Sequence, residues 1–128
     1  VASWADMALD SLAAAKGLRA GGHVRSCLSR AYYSAYAAVT AELPRDSIGS
    51  AGRSNPTHLQ LAKMAKHNLD PARFGEPVRR DVARRLRRLQ SLRIAADYDP
   101  EGSLDVSDAA ESVMNAEWIV RTVGRARG

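Results

Sequence analysis

The chain has 128 residues, 45% of them hydrophobic and 26% charged, enough for one buried core and too few for two. Aromatic residues make up only 5% while alanine is abundant, which favours closely packed helices and argues against a β-sandwich. The net charge of +5 suits nucleic acid or another acidic partner without requiring either, and the single cysteine, Cys27, excludes an internal disulfide framework and any zinc site built on cysteine pairs.

Taken in chain order, the first helix is predicted over about residues 3–20. Ser3 with Asp6 has the spacing of a capping box, Trp4, Ala8, Leu12 and Ala15 share a face, and Gly21 and Gly22 stop the helix. The second runs over about residues 23–43, with Val24, Cys27, Leu28, Ala31, Ala35, Ala38 and Val39 on one stripe and Pro44 at its end. Cys27 in that stripe reads as a buried structural thiol. Residues 44–55, "PRDSIGSAGRSN", show no periodicity and form a loop. Asn55 then looks like an N-cap and Pro56 a first helical residue, opening a short helix to about residue 67 with Leu59, Ala62, Met64 and Ala65 as its apolar content.

A long helix follows over about residues 77–97, carrying Val82, Leu86, Leu89, Arg93 and Ala96 at spacings of 4, 3, 4 and 3. After "DPEGS" comes a last helix over about residues 106–123, with Ala109, Val113, Ala116, Val120 and Val123 inward. The expected fold is one all-α domain over residues 1–128, an up-and-down bundle of four or five helices. No run approaches a transmembrane span, and no basic segment followed by an apolar one opens the chain, so no membrane and a reducing cytoplasm are expected.

Three groups of residues bear on function. Arg79, Arg80, Arg84, Arg85, Arg87 and Arg88 crowd the flank of the long helix, relieved inside the run only by Asp81. They are either a solvated face or a surface that meets phosphate or acidic groups, which would offset their mutual repulsion. Arg93 is aligned with the core, where a cation must be paired or line a groove. Asp97 lies one turn on, yet Asp97 and Asp99 occupy the end of the helix where the dipole disfavours carboxylates. The pair is either a structural salt bridge or part of a polar cleft with Tyr98 beside it. In "SRAYYSAYAA", Tyr32, Tyr33 and Tyr36 follow Arg30; they either pack the edge of the bundle with wet hydroxyls or stack on a base. The histidines His23, His58 and His67 have no metal-ligand spacing, so neither a metal nor a cofactor is expected.

"SRAYYSAYAAV", "THLQL" after a variable loop, and "RIAADYDP" with Arg93 three residues before "ADYD" together resemble the HEPN domain, over about residues 5–122. The resemblance implies a helical bundle that forms a homodimer, with two arginine-bearing helix ends across a shared cleft. It also implies RNA or nucleotide as ligand, a toxin–antitoxin or defence setting, and a minimal nucleotidyltransferase or antitoxin protein as partner. Nuclease members cut RNA without a metal, using an arginine followed after about four to six residues by a histidine. Here Arg93 occupies the arginine's place, but Tyr98 and Asp99 stand where the histidine would be; the string from Arg53 to His58 straddles a loop and Pro56. The candidate catalytic residues are therefore Arg93, Asp97 and Tyr98, and the candidate nucleic-acid contacts are Arg84, Arg85, Arg88, Tyr33, Arg30 and His58. Two readings follow: a dimeric module binding RNA or nucleotide around Arg93, with metal-independent endoribonuclease activity if it is an enzyme, or a non-catalytic helical module binding an acidic protein such as a nucleotidyltransferase.

Overall fold

The computed structural model describes residues 2–44 and 56–125. These residues form five helices and no strand: α1 (Trp4–Ala20), α2 (Val24–Glu42), α3 (Leu61–Asn68), α4 (Glu76–Tyr98) and α5 (Val106–Arg125). The expected loop lies, from residue 45 onward, outside the described residues, and so does the expected cap Asn55.

Local chemistry sets the ends of these helices. The Ser3 Oγ accepts from the Asp6 N–H and the Asp6 carboxylate from the Ser3 N–H, both at 3.1 Å, completing the capping box. Gly22, at φ 78°, supplies the left-handed residue that turns the chain into α2. Asp105 caps α5, its Oδ1 accepting from the Ser107 N–H at 2.9 Å while Asp108 returns a bond to the Asp105 N–H at 3.0 Å. The Ser107 hydroxyl, donating to the same Oδ1 at 2.6 Å, and the Asp108 and Ser107 N–H groups hold the Asp105 carboxyl below its usual range.

α2 is the spine of the bundle, packing on α1, α4 and α5, with α3 set against α4. Over residues 31–40 every position but Tyr33 is buried. Alanines, Ser34 and Thr40 fill most of that stretch, and a helix buried on nearly all sides needs such small residues for neighbours to approach. The inward stripes expected for α4 and α5 are all buried, Arg93 among them.

The short helix differs from expectation. It begins at Leu61, and residues 58–60 form a turn in front of it. Leu59 is 90% exposed, and Leu61 joins Ala62, Met64 and Ala65 on the buried face in its place. α2 accounts for the late start. The Tyr36 hydroxyl donates to the Pro56 carbonyl at 2.5 Å, and the Tyr32 hydroxyl contacts His58 Nδ1 at 2.8 Å, so this segment is tied to α2. Tyr32 and Tyr36 are thus buried with partnered hydroxyls, where edge packing with wet hydroxyls was the simpler expectation.

The acidic end of α4 has no basic residue of its own in the last turn. Arg25, from the first turn of α2, fills that role. Its Nη1 donates to the carbonyls of Ala95 (3.3 Å), Ala96 (2.9 Å) and Asp99 (2.9 Å), and its Nη2 to those of Pro100 (3.3 Å) and Gly102 (3.1 Å). A cation here adds charge-assisted bonds to the carbonyls of the last turn and the chain beyond it, and opposes the negative end of the dipole. A small cluster of Leu28, Leu92 and Ala96 packs beside it. Arg25→Ala is expected to lower unfolding stability by about 2 kcal/mol, from the loss of charge-assisted bonds to the carbonyls at the helix end. Arg25→Lys, a point charge without the planar fork, should recover less than half of that loss in urea unfolding.

Candidate nucleic-acid site at the Arg93 cluster

Arg93 enters the core from α4 at 7% exposure. Its guanidinium carbon lies 5.2 Å from the Tyr32 ring centroid, 5.6 Å from that of Tyr33 and 6.0 Å from that of Tyr98, all within cation–π range. Its Nη1 is 3.5 Å from Asp97 Oδ2, an ion-pair separation too long for a strong hydrogen bond. Among the described residues its buried Nε finds no acceptor. The expected partner Asp97 is thus in place, but it satisfies little of a group with five N–H donors. Tyr98 is 73% exposed, so the ring series runs from core at Tyr32 to surface at Tyr98.

His58 is brought to the same cluster from outside α4. Its ring lies 4.9 Å from Tyr36, 5.5 Å from Tyr32 and 5.7 Å from Tyr33, centroid to centroid. Burial disfavours the imidazolium, and the Arg93 charge adds to this, so the His58 pKa falls below its usual value. Burial pushes the Tyr32 phenol up, despite the opposing pull of Arg93. The Tyr32 hydroxyl therefore keeps its proton, and a neutral His58 can accept it at Nδ1, leaving an N–H at Nε2.

Two hollows open beside these groups. One, of about 310 Å³, is walled by Trp4 and Met7 of α1, by Arg30, Tyr33 and Tyr36 of α2, and by His58. The other, of about 600 Å³, is bordered by Arg25, Ser26, Ser29, Arg30 and Asp97. Arg30 borders both, with its guanidinium 5.1 Å from the Tyr33 ring.

Arg84, Arg85 and Arg88 do not join the cluster. Arg84 is bonded to Asp81. Arg85 bonds Asn115 at 2.7 Å and stacks 4.3 Å over Trp118. Arg88 makes a forked pair with Glu111 at 2.6 and 3.1 Å, which raises its pKa and lowers that of Glu111. Arg80 pairs with Glu76 at 2.7 Å, and Arg79 bonds the carbonyls of Lys66 and Phe74, each at 3.0 Å. The repulsion within the run is thus relieved largely by the protein's own acceptors. The pairs Glu76–Arg80 and Asp81–Arg84 were readable as turn spacings, whereas Glu111 and Asn115 come from a separate helix. Arg53 lies outside the described residues, and among the described residues no group of acidic, histidine or cysteine side chains could hold a metal ion.

A helical bundle whose fourth helix presents a buried arginine to a tyrosine pair on its second defines a narrow class of small α-domains. The family model of the HEPN domain matches residues 1–126, and the chain belongs to that family. Searches of the curated proteins and of the solved structures returned no match.

The lowered His58 pKa has a consequence for stability. Above the unfolded-state value, 6.5, the histidine is neutral in both states and contributes no slope. As pH falls through that value the unfolded chain takes up the proton first, so stability declines until the folded protein protonates too. Thermal melts between about pH 7.5 and about pH 5 should show this loss in the wild-type protein. His58→Asn keeps an acceptor or donor near Nδ1 without titrating, and its melting temperature should depend less on pH over the same window.

Proposed function

We propose that this HEPN module binds RNA or a nucleotide at the Arg93 cluster, acting as a homodimer in a cytoplasmic toxin–antitoxin or defence setting. The observation that carries the reading is the buried Arg93 guanidinium, which among the described residues has one long ion pair and an Nε without an acceptor. Burying a cation so poorly partnered costs stability, and an anionic ligand at the cluster would use the unspent donors. Among the described residues no helix is long and apolar enough to cross a membrane.

Binding is better supported than cleavage. Metal-independent RNA cleavage wants a proton acceptor near the ribose 2′-hydroxyl. His58 is the histidine at the cluster, and its Nδ1 is engaged by the Tyr32 hydroxyl at 2.8 Å; in the tautomer in which that hydroxyl donates, Nε2 carries the proton and suits a phosphate oxygen or a base edge. Asp97, beside Arg93, and the exposed Tyr98 complete the candidate set on α4. The alternative, docking of an acidic partner such as a nucleotidyltransferase on the basic flank, is weakened because Arg84, Arg85 and Arg88 already meet internal acceptors.

The test compares single-stranded RNA binding with stability. The protein should bind with an affinity that falls steeply with salt. Arg93→Met should weaken binding about tenfold or more while changing unfolding free energy by less than about 1 kcal/mol, because a buried, underpaired cation is replaceable by an apolar chain of similar length. Absence of RNA and nucleotide binding even at low salt would overturn the proposal. A large stability loss in Arg93→Met in a protein that binds no RNA would make the Arg93–Asp97 pair structural.

A further inference from the structure

We infer that the hollow between α1 and α2 is a subsite for one unpaired nucleobase, with the phosphate attached to that nucleotide lying on Arg30. The inference rests on the proposed nucleic-acid function and specifies what the ligand must present.

The walls have the chemistry that a base recognises. Trp4 and Tyr36 stand edge to face, 5.9 Å apart at 62°, and Tyr33 and His58 close the side nearest Arg93. Met7 is 43% exposed at the same hollow, an adaptable thioether that packs well against flat rings. Such walls offer stacking surface that tolerates any base. The volume of about 310 Å³ is at the lower end for small-molecule sites, about 300 Å³, and matches a single nucleoside better than a paired one. His58 adds direction: with Nδ1 occupied by Tyr32, its Nε2 is the ring nitrogen left to meet a polar atom on a base edge.

The anion site is adjacent. Arg30 is exposed and, among the described residues, makes no ion pair, only its stacking contact with Tyr33. That separates it from the run on α4, whose arginines mostly meet carboxylates or carbonyls. The second hollow continues from Arg30 past Ser29 and Ser26, which can donate to phosphate oxygens, although the Asp97 carboxylate also borders it. Asp97 faces Arg93 at 3.5 Å, which partly offsets its charge. A single strand can therefore place a base against Trp4 and Tyr33, a phosphate on Arg30, and continue along α2. A duplex cannot, because its bases are stacked on both sides.

Tryptophan fluorescence tests this directly. The chain has two tryptophans, and Trp118 is stacked on Arg85 away from the hollow. In a Trp118→Phe protein, adenosine monophosphate should quench Trp4 saturably, and ribose 5-phosphate should not. Arg30→Ala and Met7→Glu, both at exposed positions, should each weaken adenosine monophosphate binding about tenfold with unchanged circular dichroism melts. A short single-stranded RNA should bind more tightly than the duplex of the same sequence, which identifies a strand rather than a free nucleotide as the better ligand; a free nucleotide binding equally well would keep the base pocket and reassign its source. Equal quenching by ribose 5-phosphate, or no effect of either variant, would overturn the pocket. If RNA binding is lost in Arg93→Met but untouched by Arg30→Ala and Met7→Glu, the functional proposal survives and this inference does not. Absence of all RNA and nucleotide binding removes both.

Discussion

The rest of the molecule is arranged around the burial of α2 on nearly every side. A helix can be enclosed in this way only if its side chains are small enough for three other helices to reach it. From residue 31 to residue 40 that condition is met by Ala31, Ser34, Ala35, Ala37, Ala38 and Thr40. Within this crowded stretch the three tyrosines are the only large polar groups, and each has a different outlet. Tyr36 reaches the Pro56 carbonyl, Tyr32 reaches His58, and Tyr33 faces the hollow shared with Trp4 and Arg30. The site is the place where a close-packed spine lets polar groups out.

The same packing explains how α4 tolerates an acidic C-terminus. Asp97 and Asp99 would be unfavourable there if the helix end depended on its own residues. Arg25 supplies the missing positive charge from α2 and bonds five carbonyl oxygens. With capping assigned to Arg25, Arg93 has no such duty, and its guanidinium stays among the tyrosines with Asp97 as its ion-pair partner among the described residues. Two arginines close to one helix end thus have opposite conditions: one is saturated with acceptors, the other is short of them.

Much of this could be read in the amino-acid sequence, for reasons that particular residues make plain. The stripes of α2, α4 and α5 follow from helical periodicity, and the Arg93–Asp97 contact follows from a four-residue spacing within one helix. Ser3 and Asp6 marked the start of α1 in the same local way. The start of α3 was misplaced because Asn55–Pro56 is a favourable local signal, overridden by hydrogen bonds from tyrosines about twenty residues upstream. Arg25 gave no signal at all, since its partners are backbone carbonyls beyond residue 94. His58 was visible only as a candidate nucleic-acid contact; its contact with Tyr32 is a property of the fold.

Net charge is a poor guide to where such a protein meets its ligand. In the densest run of arginines most of the charges are already answered, by partners such as Glu76, Asp81, Glu111 and Asn115. Desolvated donors without acceptors, and exposed ones without carboxylates, have more to gain from an anion than paired ones, whose existing bonds must first be broken. By that criterion Arg93 and Arg30 outrank the flank, although each stands alone in the sequence among residues of ordinary composition. α4 has no histidine after Arg93, and the histidine near the cluster, His58, comes from outside that helix. Its Nδ1 is tied to a phenol that keeps its proton, not to a carboxylate that would hold the imidazole ready to accept one. Recognition is proposed over bond cleavage on this pairing of an arginine short of acceptors with an imidazole already engaged by a phenol.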